Sequence, residues 1–356
     1  VMRTKPNEAT WQLTVLAARG MVDKHLHGAT PAPYRALDLV SAAQTASRDD
    51  AFAAEDQALV DLVMADDLRA SLYAFDLVQH RAKRPAGAPD KALARTVSKV
   101  GIVGAGLMAS QLALLFARRL EVPVVMSDLD EQRAERGLGY VKSEIDALEA
   151  KGRVSSDKAN RLRSLVTATT DIHDFADADF VIEAVFEDLS IKRGVFAGLE
   201  AVVRDDCILA TNTSSLSVAA MADGLAHPER VVGFHFFNPV AVMPLLEIAR
   251  TPSTDEATLA TAFAVGKALK KSCVLVADSP AFVVNRLLTR FLGEIMQAVD
   301  EGADPVVADR ALEGLGLPMS PLALLGLVGP AVALHVSQTM HEAFSDRYAV
   351  SPTLQA

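Results

Sequence analysis

At 356 residues, half of them hydrophobic and 22% charged, the chain is long enough for two or three compact domains with their own cores. Its formal charge of -10 argues against a general nucleic-acid or membrane-surface binder, because an acidic surface repels both polyanions. Two cysteines, Cys207 and Cys273, are too few for a disulfide framework or a cysteine-rich metal site, and each falls in a run that reads as a buried strand. A reducing, cytoplasmic setting follows as the expectation.

The longest apolar run, "LALLGLVGPAVAL" at 322 to 334, is too short and too broken by Gly and Pro for a membrane span, and no signal-peptide pattern opens the chain. The first residue is Val1, so further sequence upstream is expected. Residues 1 to 95 are polar, Ala-rich and helix-like, with "AAEDQALVDLVMADDLRASLYAFDLVQHRA" as their best amphipathic run. The stretch "KRPAGAPDKALAR" then sets two prolines and a glycine among charges and reads as an exposed linker near 83 to 95.

From Lys99 the texture becomes β-α-β: "KVGIVGAG", a helix "LMASQLALLFARRL", a strand "VPVVMSD", and a polar helix from Glu131 to about Lys151. "DFVIEAV", "CILATNT", "RVVGFHFF", "LLEIA" and "CVLVADS" follow as further strands, mostly continuous apolar runs, as expected where helices cover both faces of a sheet. After Ser279 the strands stop, and "FVVNRLLTRFLGEIMQAVDEG", "PVVADRALEGLG" and "PLALLGLVGPAVALHVSQTMHEAF" read as three helical segments. The fold class is therefore α/β: a Rossmann-type doubly wound parallel sheet over 96 to 279, an all-α C-terminal module over 280 to 356, and a helical N-terminal linker segment over 1 to 95.

Gly104, Gly106 and Ala109 fit the G-x-G-x-x-G/A fingerprint and stand between a predicted strand and a predicted helix. The first glycine permits the turn, the second lets backbone approach a pyrophosphate, and the helix start at Leu107 and Met108 offers N–H groups to it. Asp128 ends the second strand, where a carboxylate accepts from adenosine ribose hydroxyls and repels a 2′-phosphate, which favours NAD over NADP. Asp128 has a second reading as the N-cap of the helix "EQRAERG".

In an open parallel sheet, ligands gather beyond the carboxyl ends of the strands. Glu183, Glu187 and Lys192 lie there, as do Asn212, Thr213, Ser214, Ser215, His235 and Asn238; Ser214 and Ser215 could equally start the helix "SVAAMADGL". "RVVGFHFF" and "LLEIA" are joined by "NPVAVMP", whose two prolines fix a turn that can set His235 beside Glu247. A carboxylate there would accept one imidazole N–H, fix the tautomer and stabilise the imidazolium, which makes an acid/base device. A structural ion pair closing a hairpin is the other reading. With a nicotinamide at the strand ends, the pair implies hydride transfer coupled to proton transfer, alcohol to ketone. No clustered metal-ligand spacing, G-x-S-x-G elbow or G-x-x-x-x-G-K-[ST] loop is present in the sequence.

"KVGIVGAGLMAS", "VIEAVFEDLSIK", "TNTSSL", "GFHFFNPVAVMPLLEI" and "DSPAFVVNRLL" resemble, in order and spacing, the L-3-hydroxyacyl-CoA dehydrogenase family of fatty-acid β-oxidation, over about 98 to 345. The resemblance implies His235 as catalytic base and Glu247 as its orienting carboxylate. It implies Ser214 and Asn285 as polar groups around the histidine and the substrate 3-oxygen, and Asn238 lining the same site. On the coenzyme side it implies the loop residues Gly104, Gly106, Leu107 and Met108, then Asp128, with Glu187 and Lys192 near the nicotinamide ribose and Asn212 close by. Residues 1 to 95, especially "SLYAFDLVQHRAKRP", resemble the segment joining an enoyl-CoA hydratase domain to the dehydrogenase in multifunctional β-oxidation α-chains. The hydratase core would lie upstream, so no hydratase activity is expected.

Ala109 stands where relatives usually carry Gly, and Gly326 where many carry Asp. Multifunctional relatives have a second helical module, so an exposed apolar helix face is expected after 280, satisfied by self-association or by disorder. The expected partners are a 3-hydroxyacyl-CoA substrate, a thiolase β-chain and a second copy in a homodimer. The competing readings are a dehydrogenase of a non-CoA 3-hydroxy acid and a non-catalytic NAD(H)-binding or assembly module.

Overall fold

A computed structural model describes residues 7–83 and 85–356. The chain divides into two compact units, one formed by Val1–Leu77 with Leu288–Ala356 and the other by Val78–Leu287.

The first unit opens with four helices, α1 (Glu8–Leu26), α2 (Pro31–Ala42), α3 (Arg48–Met64) and α4 (Asp66–Asp76). Each start has a local cause. The Asn7 side chain accepts from Ala9 N, Pro31 occupies the first turn of α2, and Ser47 accepts from Asp50 N. The run expected as one amphipathic helix breaks at Ala65, whose ψ of 151° is extended, and Asp66 and Asp67 then put carboxylates in the first turn of α4.

The second unit is built on an eight-stranded sheet. In chain order it holds β1 (Val100–Val103), α5 (Leu107–Leu120), β2 (Val124–Ser127), α6 (Glu131–Ala150), α7 (Ser156–Leu165) and β3 (Val166–Thr169). It continues with β4 (Phe180–Glu183), α8 (Leu189–Glu200), β5 (Ile208–Thr211), α9 (Val218–Ala222), β6 (Val231–Phe236), β7 (Leu245–Arg250), α10 (Glu256–Ala268) and β8 (Ser272–Ala277). The strand order is β3-β2-β1-β4-β5-β6-β7-β8, so the winding reverses between β1 and β4. Every neighbouring pair is parallel except β6 and β7. β3 is absent from the expectations: "VTAT" is a short edge strand with alternate residues open to solvent, and lacks the continuous apolar run of its neighbours.

Both faces of the sheet are covered. Phe116, Phe180, Phe234 and Phe236 form a closed cycle of edge and tilted ring contacts on one face, together with Ile102, Leu112, Ile145 and Leu162 from β1, α5, α6 and α7. The other face buries Val181, Leu209, Phe196, Met221 and Phe282. Strand alternation puts Phe234 and Phe236 on the first face and His235, between them, on the second. The stretch read as a linker is not wholly free: a 3-10 turn at Lys91–Leu93 is followed by Arg95, whose N–H donates to Thr261 Oγ1 on α10.

Past the sheet come α11 (Val284–Asp300), α12 (Pro305–Arg310), α13 (Pro321–Val328), α14 (Pro330–Ala343) and α15 (Pro352–Gln355). The last long segment, expected as a single helix, is broken: Gly329 takes φ 94° and Pro330 restarts the helix at an angle of 98°. Among the described residues no single helix is long and apolar enough to cross a membrane, and the pair that has the length together carries this break.

Candidate active site

The loop after β1 is shaped by two glycines with different constraints. Gly104 has φ 108°, and a Cβ on it would sit 2.8 Å from the carbonyl oxygen of Ala184, so both conformation and space demand glycine. Gly106 meets nothing within 4 Å of that position, and it begins α5 without a side-chain cap. The first-turn N–H groups of Leu107 and Met108 thus border open space at a positive helix end. Ala109 is buried against the sheet, which is what the third small position of the fingerprint requires. Gly137 on α6 extends the constraint: a Cβ there would lie 2.7 Å from the Ala105 side chain. Sequence reasoning missed Gly137, since a glycine inside a polar helix reads only as a weak spot.

Asp128 sits beyond β2 with Oδ2 accepting from Ala105 N and Oδ1 from Leu129 N, both at 2.8 Å. Its second reading as a helix cap does not hold, because Asp130 caps α6 by accepting from Arg133 N. Asp128 therefore braces the glycine loop from the strand where a ribose-binding carboxylate belongs.

Beyond β4 and β5 the polar residues form one network. Lys192, 1% exposed, donates to both carboxylate oxygens of Glu183 at 2.9 Å and lies 3.3 Å from Glu187. The Thr211 hydroxyl also donates to Glu183. Glu187 Oε1 in turn accepts from the Thr213 hydroxyl at 2.7 Å and from the N–H groups of Ser214 at 2.8 Å and Ser215 at 3.1 Å. Burial pushes the Glu187 carboxyl up, but the Lys192 charge and these donors outweigh it and hold the group below the usual range. Glu187 is therefore a charged anchor for the loop after β5. Lys192 is buried beside it, between Glu183 and Glu187. Ser214 and Ser215 belong to this anchor and not to a helix cap; Ser217 caps α9.

His235 and Glu247 are direct cross-strand partners in the antiparallel β6–β7 pair. Paired residues project to the same face, so register alone brings the two side chains together. His235 Nδ1 lies 2.8 Å from Glu247 Oε2, with the imidazole 4% and the carboxylate 0% exposed. Glu247 Oε1 accepts from Val283 N at 3.1 Å and Val284 N at 3.0 Å, at the start of α11. The turn that aims those two N–H groups runs through Ala281 and Phe282, both at positive φ, and Phe282 also packs on the imidazole. A carboxylate can only accept from the ring, so Nδ1 is the nitrogen that donates to Glu247 and Nε2 is the one turned away from it. Neither backbone donor was visible in sequence, because the tight turn that aims them contains no glycine.

The remaining residues follow β5 and β6 or open α11. Asn285, in the first turn of α11, donates from Nδ2 to Ser214 O at 3.4 Å, and the Ser214 hydroxyl donates to Glu187. Asn212 Oδ1 accepts from Phe236 N at 2.9 Å and ties the end of β5 to β6. Asn238 follows β6 in the turn, where its Oδ1 accepts from Gln111 Nε2 of α5.

A glycine turn open to an anion, a carboxylate at the end of β2 and a carboxylate-backed imidazole at the same end of a doubly wound sheet are the parts that a dinucleotide-dependent oxidoreductase assembles. The sequence matches two family models: 3-hydroxyacyl-CoA dehydrogenase, NAD binding domain, over residues 99–279, and 3-hydroxyacyl-CoA dehydrogenase, C-terminal domain, over 282–356. The chain belongs to the 3-hydroxyacyl-CoA dehydrogenase family. It is 37% identical over 80% of its length to the peroxisomal fatty acid beta-oxidation multifunctional protein MFP2 of Arabidopsis thaliana. It is 34% identical over 97% of its length to a fatty acid oxidation complex subunit alpha of Pseudomonas putida. The chain spans 39% and 48% of those two relatives, about half their length or less. Among solved structures, FadB2 of M. tuberculosis aligns with TM-score 0.70 and 36% identity, covering 73% of this chain and 93% of that one. The (S)-3-hydroxybutyryl-CoA dehydrogenase PaaH1 of Ralstonia eutropha aligns with the same score and coverage at 32% identity.

Proposed function

We propose that the chain oxidises (3S)-3-hydroxyacyl-CoA to 3-ketoacyl-CoA with NAD, using His235 as general base and Glu247 as the carboxylate that orients it. The observation carrying this reading is the cross-strand pairing of His235 with Glu247, closed by the Val283 and Val284 N–H groups. The open approach at Gly106 and the uncapped start of α5 suit a dinucleotide. In this reading Gly104, Gly106, Leu107 and Met108 hold the pyrophosphate and Asp128 the adenosine ribose, while Glu187, backed by Lys192, and Asn212 line the nicotinamide side. Bound NAD supplies the hydride acceptor.

The protein's own part is the proton. Nε2 of His235 takes it from the 3-hydroxyl as the carbonyl forms and returns it in the reverse direction. Glu247 holds Nδ1–H, keeps the ring in one tautomer and stabilises the charge that the ring gains. Ser214, Asn285 and Asn238 orient the substrate around the ring.

Oxidation of NADH with acetoacetyl-CoA is the direct test. His235→Gln is expected to lower kcat by roughly 10²–10⁴ with NADH affinity retained, and Glu247→Gln to act in the same direction. Unchanged turnover in His235→Gln refutes the assignment. A structure 30% identical over 72% of the chain, with TM-score 0.57, is described as a dehydrogenase of a pyridine carboxylic acid, which keeps free acids in view as substrates. Acetoacetyl-CoA measured against free acetoacetate separates the two classes.

In the same reading residues 1 to 95 are the tail of an upstream hydratase-type domain, 96 to 279 the coenzyme domain, and 280 to 356 a helical substrate or dimerisation domain. A thiolase β-chain partner, in keeping with relatives named as subunits of a fatty acid oxidation complex, and a cytoplasmic setting belong to the same reading. Homodimer formation belongs to the same proposal and is read by sedimentation.

A further inference from the structure

We propose that Gln111 is a positioning residue that fixes which end of the Asn238 amide meets the substrate, so that Asn238 offers a hydrogen-bond donor to a carbonyl oxygen of the 3-ketoacyl thioester. The inference rests on the dehydrogenase reading above, in which Asn238 lines the substrate.

The argument starts from a group whose polarity cannot change. The backbone N–H of Val240 can only donate, and it meets Gln111 Oε1 at 2.8 Å. The Gln111 amide is thereby turned with its oxygen to Val240 and its Nε2 to Asn238, 3.2 Å from Oδ1. Nε2 also can only donate, so Asn238 gives its oxygen to Gln111. Its own Nδ2 is then the amide atom without a protein partner among the described residues. One backbone N–H thus sets, through two side-chain amides in series, the sign of the group at the surface of the turn. Both ends of the relay are held. Gln111 stands on α5, the helix that begins at the coenzyme loop, and Val240 is fully buried. From the other side Lys271 Nζ donates to the carbonyls of Val240 and Met243, the latter at 2.6 Å, and fastens the turn to the start of β8. A ketone or thioester oxygen accepts only, so the amide end left over is the complementary one.

Gln111→Glu tests the relay, because it keeps an acceptor for Val240 N but replaces the Nε2 donor with oxygen. Asn238 must then turn Nδ2 toward position 111 and present Oδ1 outward. The expected result is a rise of about tenfold in KM for acetoacetyl-CoA, the scale of one lost hydrogen bond, with NADH affinity unchanged. Gln111→Met, which frees the Asn238 amide to take either orientation, is expected to raise KM only about twofold, since half the population stays competent. In an Asn238→Ala background Gln111→Glu should add nothing. The same KM penalty with and without the Asn238 side chain overturns the proposal, as does an unchanged KM in Gln111→Glu. A urea-denaturation double-mutant cycle on the ligand-free protein, with Gln111→Met and Asn238→Ala, reads the contact without turnover, and additive effects overturn it. If the unmutated chain turns over no acetoacetyl-CoA, the dehydrogenase reading fails. The ligand-free cycle and calorimetric titration of acetoacetyl-CoA into Gln111→Glu then decide the relay separately.

Discussion

Loss of the Lys192 ammonium would leave Glu183 and Glu187 without the counter-charge that both of them now contact. Breaking a buried pair strands an uncompensated charge, so Lys192→Met is expected to cost about 3–5 kcal/mol in urea denaturation, with NADH affinity falling as the Ser214 loop loosens. Glu187 supplies a pH signature. Its carboxyl is held below the usual range, so its contribution to stability is fully present above the unfolded-state value of about 4.3 and is lost as pH falls through the lower folded value. Glu187→Gln should therefore flatten the acid limb of the stability curve, measured by midpoint against pH, and leave its neutral part parallel to that of the parent. At this scale the sequence displayed His235, Glu247 and Asp128, because the first two are lone polar groups inside apolar runs and the third ends one. It set Lys192 beside Glu183 and Glu187 beyond the strand ends but did not display the burial of the ammonium, which only the paired ends of β4 and β5 enclose. The thiols were legible as buried. Burial drives Cys207 and Cys273 up to about 12, as their place in buried strands implies.

Elements were legible in proportion to how continuous their apolar runs are. β1, β2 and β4 to β8 announced themselves as runs bounded by polar ends, whereas β3 pairs only through β2 and shows solvent a threonine on alternate positions. The breaks at Ala65 and Gly329 were hidden because helical spacing continues across them; a Gly-Pro pair in an otherwise apolar run was the available signal at the second. The antiparallel turn of β7 is the element on which the site depends most. Gly233 lets β6 and β7 approach, since a Cβ there would come within 2.6 Å of the Ala249 Cβ. Gly233→Val is expected to destabilise the protein by about 1–3 kcal/mol and to lower turnover more than a core change of equal cost. Phe234→Ala provides that comparison: it removes one member of the aromatic cluster on the opposite face and should cost about 3–5 kcal/mol, read from the urea midpoint.

Across the whole molecule apolar burial is uneven. The sheet is buried on both faces, while α1, α3 and α4 leave Leu13, Leu16, Met21, Leu59, Val60, Leu72 and Phe75 more than half exposed. Amide hydrogen exchange should accordingly be slowest in β1, β4, β5 and β6 and fast throughout α1 to α4, a gradient that equal protection in both regions would contradict. The sequence revealed the polar, helical character of that N-terminal part but not its thin core, since a helix stripe does not say whether anything covers it. The β6–β7 register also has a consequence for how the molecule can be followed as it forms. A slip of one residue in that pairing would send Glu247 to the opposite face, so with the role proposed for the pair turnover is expected only in chains whose β6 and β7 have joined in register. Trp11, the sole tryptophan, lies in α1 and reports a different region. Emission from that indole and regained catalysis therefore make two separate clocks for one refolding reaction.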